Sequence, residues 1–551
     1  MATPRLSGGL VSAIRILAES PLRGLVWRSM GQSYGLFGLN DLPEEAHGVP
    51  SLEERAVAGA PPRSGPDEEG EAAAPRKGTA RALRLAYQRQ GTTPVAVLEA
   101  LRARVERAEF GKAGRSPFIA LAWARAHALA EASAARWRAG RPLGPLDGVP
   151  VPVKDEHDMV GLPTMGGTRW RTQLAGQDSL VVQRLEAAGA LVYGKTHTTE
   201  WGMSPLGFNP CQPMPRNVYS RDHAPGGSST GSAVAVALGM APVAVGSDGG
   251  GSIRIPAAMN GLFGLKPNFV RVPRAGDIFA DGTVSHIGPI GRSVEDLVDL
   301  LSVIAGPDPR DPLSAYPGAA PVASWRAALG RGVQGVRIGV DEAEWADAAP
   351  EVARVADEAL RGLEREGARR VSVKIPYAKE APAAGVLVIA NETMGGLLRC
   401  LPHLPEMGED LRIILALLRG CATEHYFAAR SVRAGLRRNL AAVMAGVDLL
   451  ALPTTAALPP AWPFEEDQTA IVDEVANQQA VRFSFLANLT GLPAGTAPAG
   501  MVDGLPVGLQ LVGDAHDEAS VIAGLAAVER LGIGRVPDPD GFVPLESVAR
   551  G

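Results

Sequence analysis

The sequence predicts an α/β fold from three observations. Helix-type segments alternate with short apolar runs over most of the chain. Of its 551 residues, 46% are hydrophobic and only 21% charged, enough to bury a large core. Two Gly/Ser-rich loops, at 225–232 and 247–252, frame a small-residue helix and an apolar strand.

Taken in order, residues 1–40 stand apart. Arg5, Arg15, Arg23 and Arg28 face Glu19 as the only acid, and Leu10, Val11, Ile14 and Leu17 recur at helical spacing. Arginine interrupts the apolar run too early for a secretory signal. A transit peptide and a weakly membrane-associated surface helix stay open, but the expected state is an extension packed on the main domain through Leu10, Ile14 and Leu17, and dispensable for chemistry. Residues 61–78 (PPRSGPDEEGEAAAPRKG) have linker composition. The reading is therefore an extension and linker over 1–78 and one catalytic domain over 79–551. Helices are expected over 94–108, 124–138, 179–189 and 518–530, and strands over 149–153, 190–193, 449–452, 494–497 and 505–512.

Composition narrows function. A net charge of -5 gives no electrostatic ground for nucleic-acid binding. Cys211, Cys400 and Cys421 lie far apart, so neither a disulfide framework nor a thiolate zinc site is legible, and the nine histidines form no HExxH pattern. No metal and no cofactor are expected. Apolar stretches such as 439–464 are broken, there by Asp448, Pro453, Pro459, Pro460 and Pro463, too soon to span a bilayer. A cytoplasmic protein, monomeric or homodimeric, acting on a small molecule fits these features.

The chemistry concentrates in two segments. In Ser247-Asp248-Gly249-Gly250-Gly251-Ser252 a serine follows glycines whose N–H groups can converge on one point, the layout of an oxyanion hole built by Gly249, Gly250, Gly251 and the Ser252 N–H. The upstream loop is no phosphate cradle, because Gly231 is followed by Ser232 and not lysine, and neither loop is a GxGxxG turn. Nor is the serine on a G-x-S-x-G elbow, and no histidine stands in a triad context. The candidate base is Lys154, which ends the apolar run GVPVPVKD at 148–155. Burial disfavours an ammonium, and a serine–lysine pair is an accepted variant of triad logic.

These pieces resemble the amidase signature family. Its Gly/Ser-rich signature is carried by GGSSTGSAVAVALG and VGSDGGGSIRIPAAMNGLFGLKP, its lysine segment by GVPVPVKDEHD, and the likeness runs from about residue 79 to 535, including NLTGLPAGTAPAG and DGLPVGLQLVG. The resemblance implies a large mixed, twisted β-sheet with helices on both faces. It also implies hydrolysis of a small-molecule amide through an acyl-enzyme, with Ser252 as nucleophile, Ser228 as the relaying serine after a cis Gly227–Ser228 bond, and Lys154 as base. Asp248 and Arg254 become a structural ion pair, and Asp155 a support for the lysine. Gly249 departs from the family's usual Thr or Ile, which leaves the loop's rigidity open. Two alternatives remain: the glutamine-hydrolysing subunit of a tRNA-dependent amidotransferase, and a non-catalytic acyl-binding member. Fatty-acid, aryl, aliphatic, peptide C-terminal amides and carbamates are not distinguished, because the acyl pocket is expected to depend on 201–208, 276–279 and 391–398. The Asn488-Leu489-Thr490 sequon is read as an unglycosylated core turn.

Overall fold

The computed structural model describes residues 5–21, 23–33, 35–48, 76–280, 282–466 and 468–547. The expected linker at 61–78 lies outside the described residues except for 76–78. The centre of the fold is an 11-stranded mixed sheet with helices around it. Its strands run, in spatial order, Phe118–Leu121, Gly194–Thr196, Val153–Lys154, Val243–Asp248, His286–Gly291, Phe263–Lys266, Ala494–Val502, Leu505–Gly513, Leu449–Pro453, Arg337–Val340 and Arg369–Ser372.

What positions the chemistry is the parallel part of this sheet. Val153–Lys154 lies between Gly194–Thr196 and Val243–Asp248 and is parallel to both, with Val153 opposite Lys195 and Val245. Lys154 and Asp248 therefore sit at the carboxyl ends of adjacent parallel strands, where open α/β sheets place their ligand sites. The neighbouring strand His286–Gly291 runs antiparallel and makes the sheet mixed.

Local sequence explains most elements. Pro94–Glu106 begins with proline in its first turn, and its Thr93 hydroxyl caps the Ala96 N–H at 3.1 Å. Leu180–Ala187 is capped by Ser179 and stops before Gly189, whose φ of +84° suits glycine. Glu518–Arg530 and Leu449–Pro453 form where their patterns place them. The expected strand at 190–193 does not form; the strand there is Gly194–Thr196. Pro150 and Pro152 remove ladder donors, so pairing of the two runs begins as a single bridge, Pro150 to Leu191, and becomes a strand only at Val153.

The extension packs on the main body. Leu6–Ser7 pairs antiparallel with Ile471–Val472, and helix Gly9–Glu19 lies against helix Glu409–Leu418. Arg15 reaches Glu409 at 3.1 Å and Arg412 reaches Glu19 at 2.7 Å. The buried face differs from the expected one. Val11 and Ala18 are fully buried and Ile14 packs beside Val11, whereas Leu10 is 61% and Leu17 43% exposed. Positions 11, 14 and 18 form their own helical stripe, and it is this stripe that meets Ile413 and Leu417.

Val11→Asp places an unpaired carboxylate in that contact and is expected to undock the helix, lowering the protein's melting temperature and raising amide hydrogen exchange over 9–19. Leu10→Asp, on the exposed side, should leave both unchanged. Equal effects of the two variants would contradict the packing face.

Candidate active site

The lysine strand ends in a run of charge that the fold buries entirely: Lys154, Asp155, Glu156 and His157 are each at most 1% exposed. Buried charge persists only when paired and hydrogen-bonded. Lys154 Nζ lies 2.7 Å from Ser228 Oγ, 2.8 Å from Ser247 Oγ and 2.8 Å from Glu156 Oε1. Ser247 in turn donates to the other Glu156 oxygen, Oε2. The lysine thus has a buried counter-charge, Glu156, and a second serine, Ser247, neither of which sequence reasoning assigned. The available signals were the acid two residues past the lysine and the serine just before Asp248. Asp155 pairs instead with Lys195, at 2.6 Å, and ties the lysine strand to its neighbour.

Beside this cluster stand His157 and Asp277, 3.4 Å apart. Burial, with the nearby Lys195 and Lys154 charges, lowers His157 to about 3, so its imidazole is neutral. Burial and the Glu156 charge push Asp277 up to about 8, so it holds its proton at neutral pH and spares the cluster a further negative charge.

Ser228 opens the second element. The Gly227–Ser228 peptide bond is cis, as the resemblance implied. Gly227 runs so close to the 204–207 turn that a Cβ would lie 2.5 Å from the Ser204 carbonyl oxygen. Helix Thr230–Ala237 follows, and the Ser229 N–H donates to the Ser252 carbonyl at 3.2 Å, joining the two Gly/Ser loops.

The Ser252 turn is shaped by Asp248. Its carboxylate accepts from the Gly251 N–H at 2.6 Å and the Ile253 N–H at 3.2 Å, and pairs bidentately with Arg254 at 2.9 Å for both contacts. Asn488 donates to the same carboxylate at 2.9 Å, which places the sequon asparagine in the core. Although burial opposes its charge, the Arg254 guanidinium holds Asp248 well below the usual carboxylate range. Of the N–H groups expected to build an oxyanion hole, those of Gly249, Gly250, Gly251 and Ser252, that of Gly251 donates to Asp248. Gly249 also has a local cause, since a Cβ there would lie 2.6 Å from Ile389 Cδ1.

Ser252 lies where two cavities meet. The smaller, about 180 Å³, is lined by Glu156, Ser228, Ser247 and Gly249, with Trp201 and Phe279 on its apolar side. The larger, about 740 Å³, is lined by Gly250 and Ser252 and reaches the extension. Of the segments expected to form the pocket, 201–208, 276–279 and 391–398 all contribute to the smaller cavity, and 201–208 to both.

A fold with a strand-end lysine, two Gly/Ser loops and a glycine-turn serine at one cleft defines a class, and comparison with known proteins agrees. The Amidase family model matches residues 99–522, and the chain belongs to the amidase signature family. It is 36% identical to a glutamyl-tRNA(Gln) amidotransferase subunit of Anaeromyxobacter sp. (strain K), over 80% of this chain and 94% of that protein. It is 32% identical to a fatty acid amide hydrolase of Medicago truncatula, over 81% of this chain and 75% of the relative. Among solved structures, a bacterial aryl acylamidase of the amidase signature family superposes with a TM-score of 0.73 at 27% identity, covering 85% of this chain and 98% of its own.

The Trp201 wall is anchored by a buried acid. Glu200 accepts from the Gly408 N–H at 2.9 Å, and burial, together with the Asp410 charge, pushes it up to about 8. Between the unfolded carboxyl value near 4.5 and about 8, the folded state keeps a proton that the unfolded chain has lost. Such a group therefore lowers stability by about 1.4 kcal/mol per pH unit as pH rises through that window. Glu200→Gln removes this dependence, so its melting temperature relative to the wild type should be higher at pH 8 than at pH 5. An equal difference at both pH values would contradict the buried, protonated acid.

Proposed function

We propose that this chain is an amidase that cleaves a carboxylic amide through an acyl-enzyme, with Ser252 as nucleophile, Ser228 as proton relay and Lys154 as base. The observation that carries the reading is the 2.7 Å contact between Lys154 Nζ and Ser228 Oγ, beside the glycine turn that holds Ser252 in the same cleft. In the first step the Ser252 hydroxyl attacks the carbonyl carbon. Its proton passes to Ser228, whose own proton passes to Lys154 Nζ as base. The N–H groups of Gly249, Gly250 and Ser252 meet the developing oxyanion. Collapse breaks the C–N bond, Ser228 delivers a proton to the departing nitrogen, and Lys154 returns one to Ser228. Water then cleaves the ester by the same relay in reverse, releasing the acid and restoring Ser252. Glu156 and Ser247 position the lysine nitrogen throughout. Location in the cytoplasm fits this reading, as does a homodimer, and no step calls for a metal or cofactor.

The second reading, a glutamine-hydrolysing amidotransferase component, is favoured by the 36% identity to the Anaeromyxobacter amidotransferase protein over 80% of the chain. The two separate on substrate: an amidotransferase component releases ammonia from glutamine in its complex, whereas an amidase turns over simple acyl amides alone.

Ser252→Ala should lower amide turnover by roughly 10⁴-fold or more with the melting temperature unchanged. A fluorophosphonate should label the wild type at Ser252 and fail to label the variant. Near-wild-type turnover by the variant would overturn the nucleophile assignment.

Lys154→Arg preserves charge but supplies a guanidinium that does not deprotonate, so it should be as inactive as Lys154→Ala in single-turnover assays. Substantial acylation by the arginine variant would exclude lysine as the base.

A further inference from the structure

Resting on the amidase reading above, we infer that the N-terminal extension is a wall of the acyl site, and that the substrates are amides of long, apolar, straight-chain acids with a compact amine. The first observation is which cavity holds the proton donor. Ser228, which must reach the departing nitrogen, lines the smaller cavity and not the larger. The amine therefore leaves through the smaller space, of about 180 Å³, whose lining includes the carboxylates Glu156 and Glu392, groups that suit a small amine or ammonia. The acyl chain, on the other side of the carbonyl, enters the larger one.

The second observation is what the larger cavity is made of. At about 740 Å³ it lies within the range of sites that enclose extended ligands. From the extension it takes Trp27, Met30, Leu36, Leu39 and Leu42, and from the main body Leu387, Ile414, Leu417 and Phe485. Asp347 and Lys379 on its lining are exposed and mark a mouth to solvent. Such a channel favours transfer of hydrocarbon from water and offers a branched or polar acyl group little.

The third observation is that this wall is held in place. Gln478 donates to the Ser33 carbonyl at 2.8 Å, the Gly48 N–H donates to the Ser431 carbonyl at 2.9 Å, and Trp27 meets His425 edge to face at 6.0 Å. These contacts tie the segment to two helices of the main body, Glu474–Val481 and Thr423–Met444. On this inference residues 1–40, expected from the sequence to be dispensable for chemistry, take part in selecting the acyl chain.

The test uses the full chain and a series of straight-chain primary amides from acetamide to hexadecanamide, with released ammonia as readout. In the wild type, kcat/KM should climb by roughly threefold or more per added methylene while the chain still enters apolar surroundings. Gly38 lines the cavity, and a Cβ there meets nothing within 4 Å, so Gly38→Trp adds bulk to the wall without a clash at its root. It should cut the ratio of long-chain to short-chain kcat/KM by roughly tenfold or more. Leu42→Trp, on the same wall, provides a second occlusion should the first variant not fold. An active enzyme with a flat acyl-length profile overturns the inference, as does an unchanged length preference in the folded occluding variants. So does a preference that follows chain length in a parallel series of N-alkyl acetamides, read out as released acetate, instead. No turnover of any amide, short chains included, would overturn the underlying amidase reading and this inference with it.

Discussion

The carboxylate of Asp248 is the constraint on which the candidate site depends. A glycine-rich turn has many conformations available, and three glycines in a row offer little resistance to any of them. Asp248 removes that freedom by collecting the Gly251 and Ile253 N–H groups, the Arg254 guanidinium and the Asn488 amide on its two oxygens. The remaining N–H groups of the turn are then presented by a loop already fixed before a substrate arrives, the condition under which such donors stabilise developing charge well. The pair is also costly to take out of water, which explains why the surrounding shell satisfies so many of its polar atoms.

Legibility in the sequence follows how local each cause is. Capped helices such as Pro94–Glu106 and Glu518–Arg530 announce themselves because caps and periodicity are set by neighbours along the chain. Lys154, Ser228 and Ser252 are legible because a lysine ending an apolar strand and a serine after glycines are unusual placements. Glu156 and Ser247 are not: each looks ordinary in sequence, and only the parallel pairing of Val153 with Val245 brings the two strand ends together. The bond from the Gly251 N–H to Asp248 is hidden for a related reason, since the acceptor is a side chain three residues earlier and its direction depends on the turn itself.

The extension differs from its expectation in another way. Its helical spacing is correct, yet both Leu10 and Leu17 point to solvent, because the stripe that docks is chosen by Ile413 and Leu417, remote from the helix in sequence. Amphipathic pattern fixes that a helix has an apolar side; when that side is broad, the partner decides which part of it is buried. The same long-range choice sets the large cavity: beyond Gly250 and Ser252 of the serine turn, most of its wall comes from the extension and from residues 379–390, 414–418 and 477–485, outside the signature segments.

The proposed reaction site and the proposed acyl cavity are thus built from different materials, and Ile389 is where they touch. It lines both cavities, and its Cδ1 stands 2.6 Å from where a Gly249 Cβ would be. A Cβ at 249 would require the Ile389 side chain, carried by the helix Ala381–Leu398, to turn aside. Glycine at 249 leaves room for Ile389 beside the serine turn, so a side chain and not backbone stands between the smaller cavity and the larger. What looks in the sequence like a loosening of the oxyanion turn is better understood as room made for its neighbour: Asp248 supplies the turn's rigidity from below, and Ile389 occupies the space that the missing side chain leaves above.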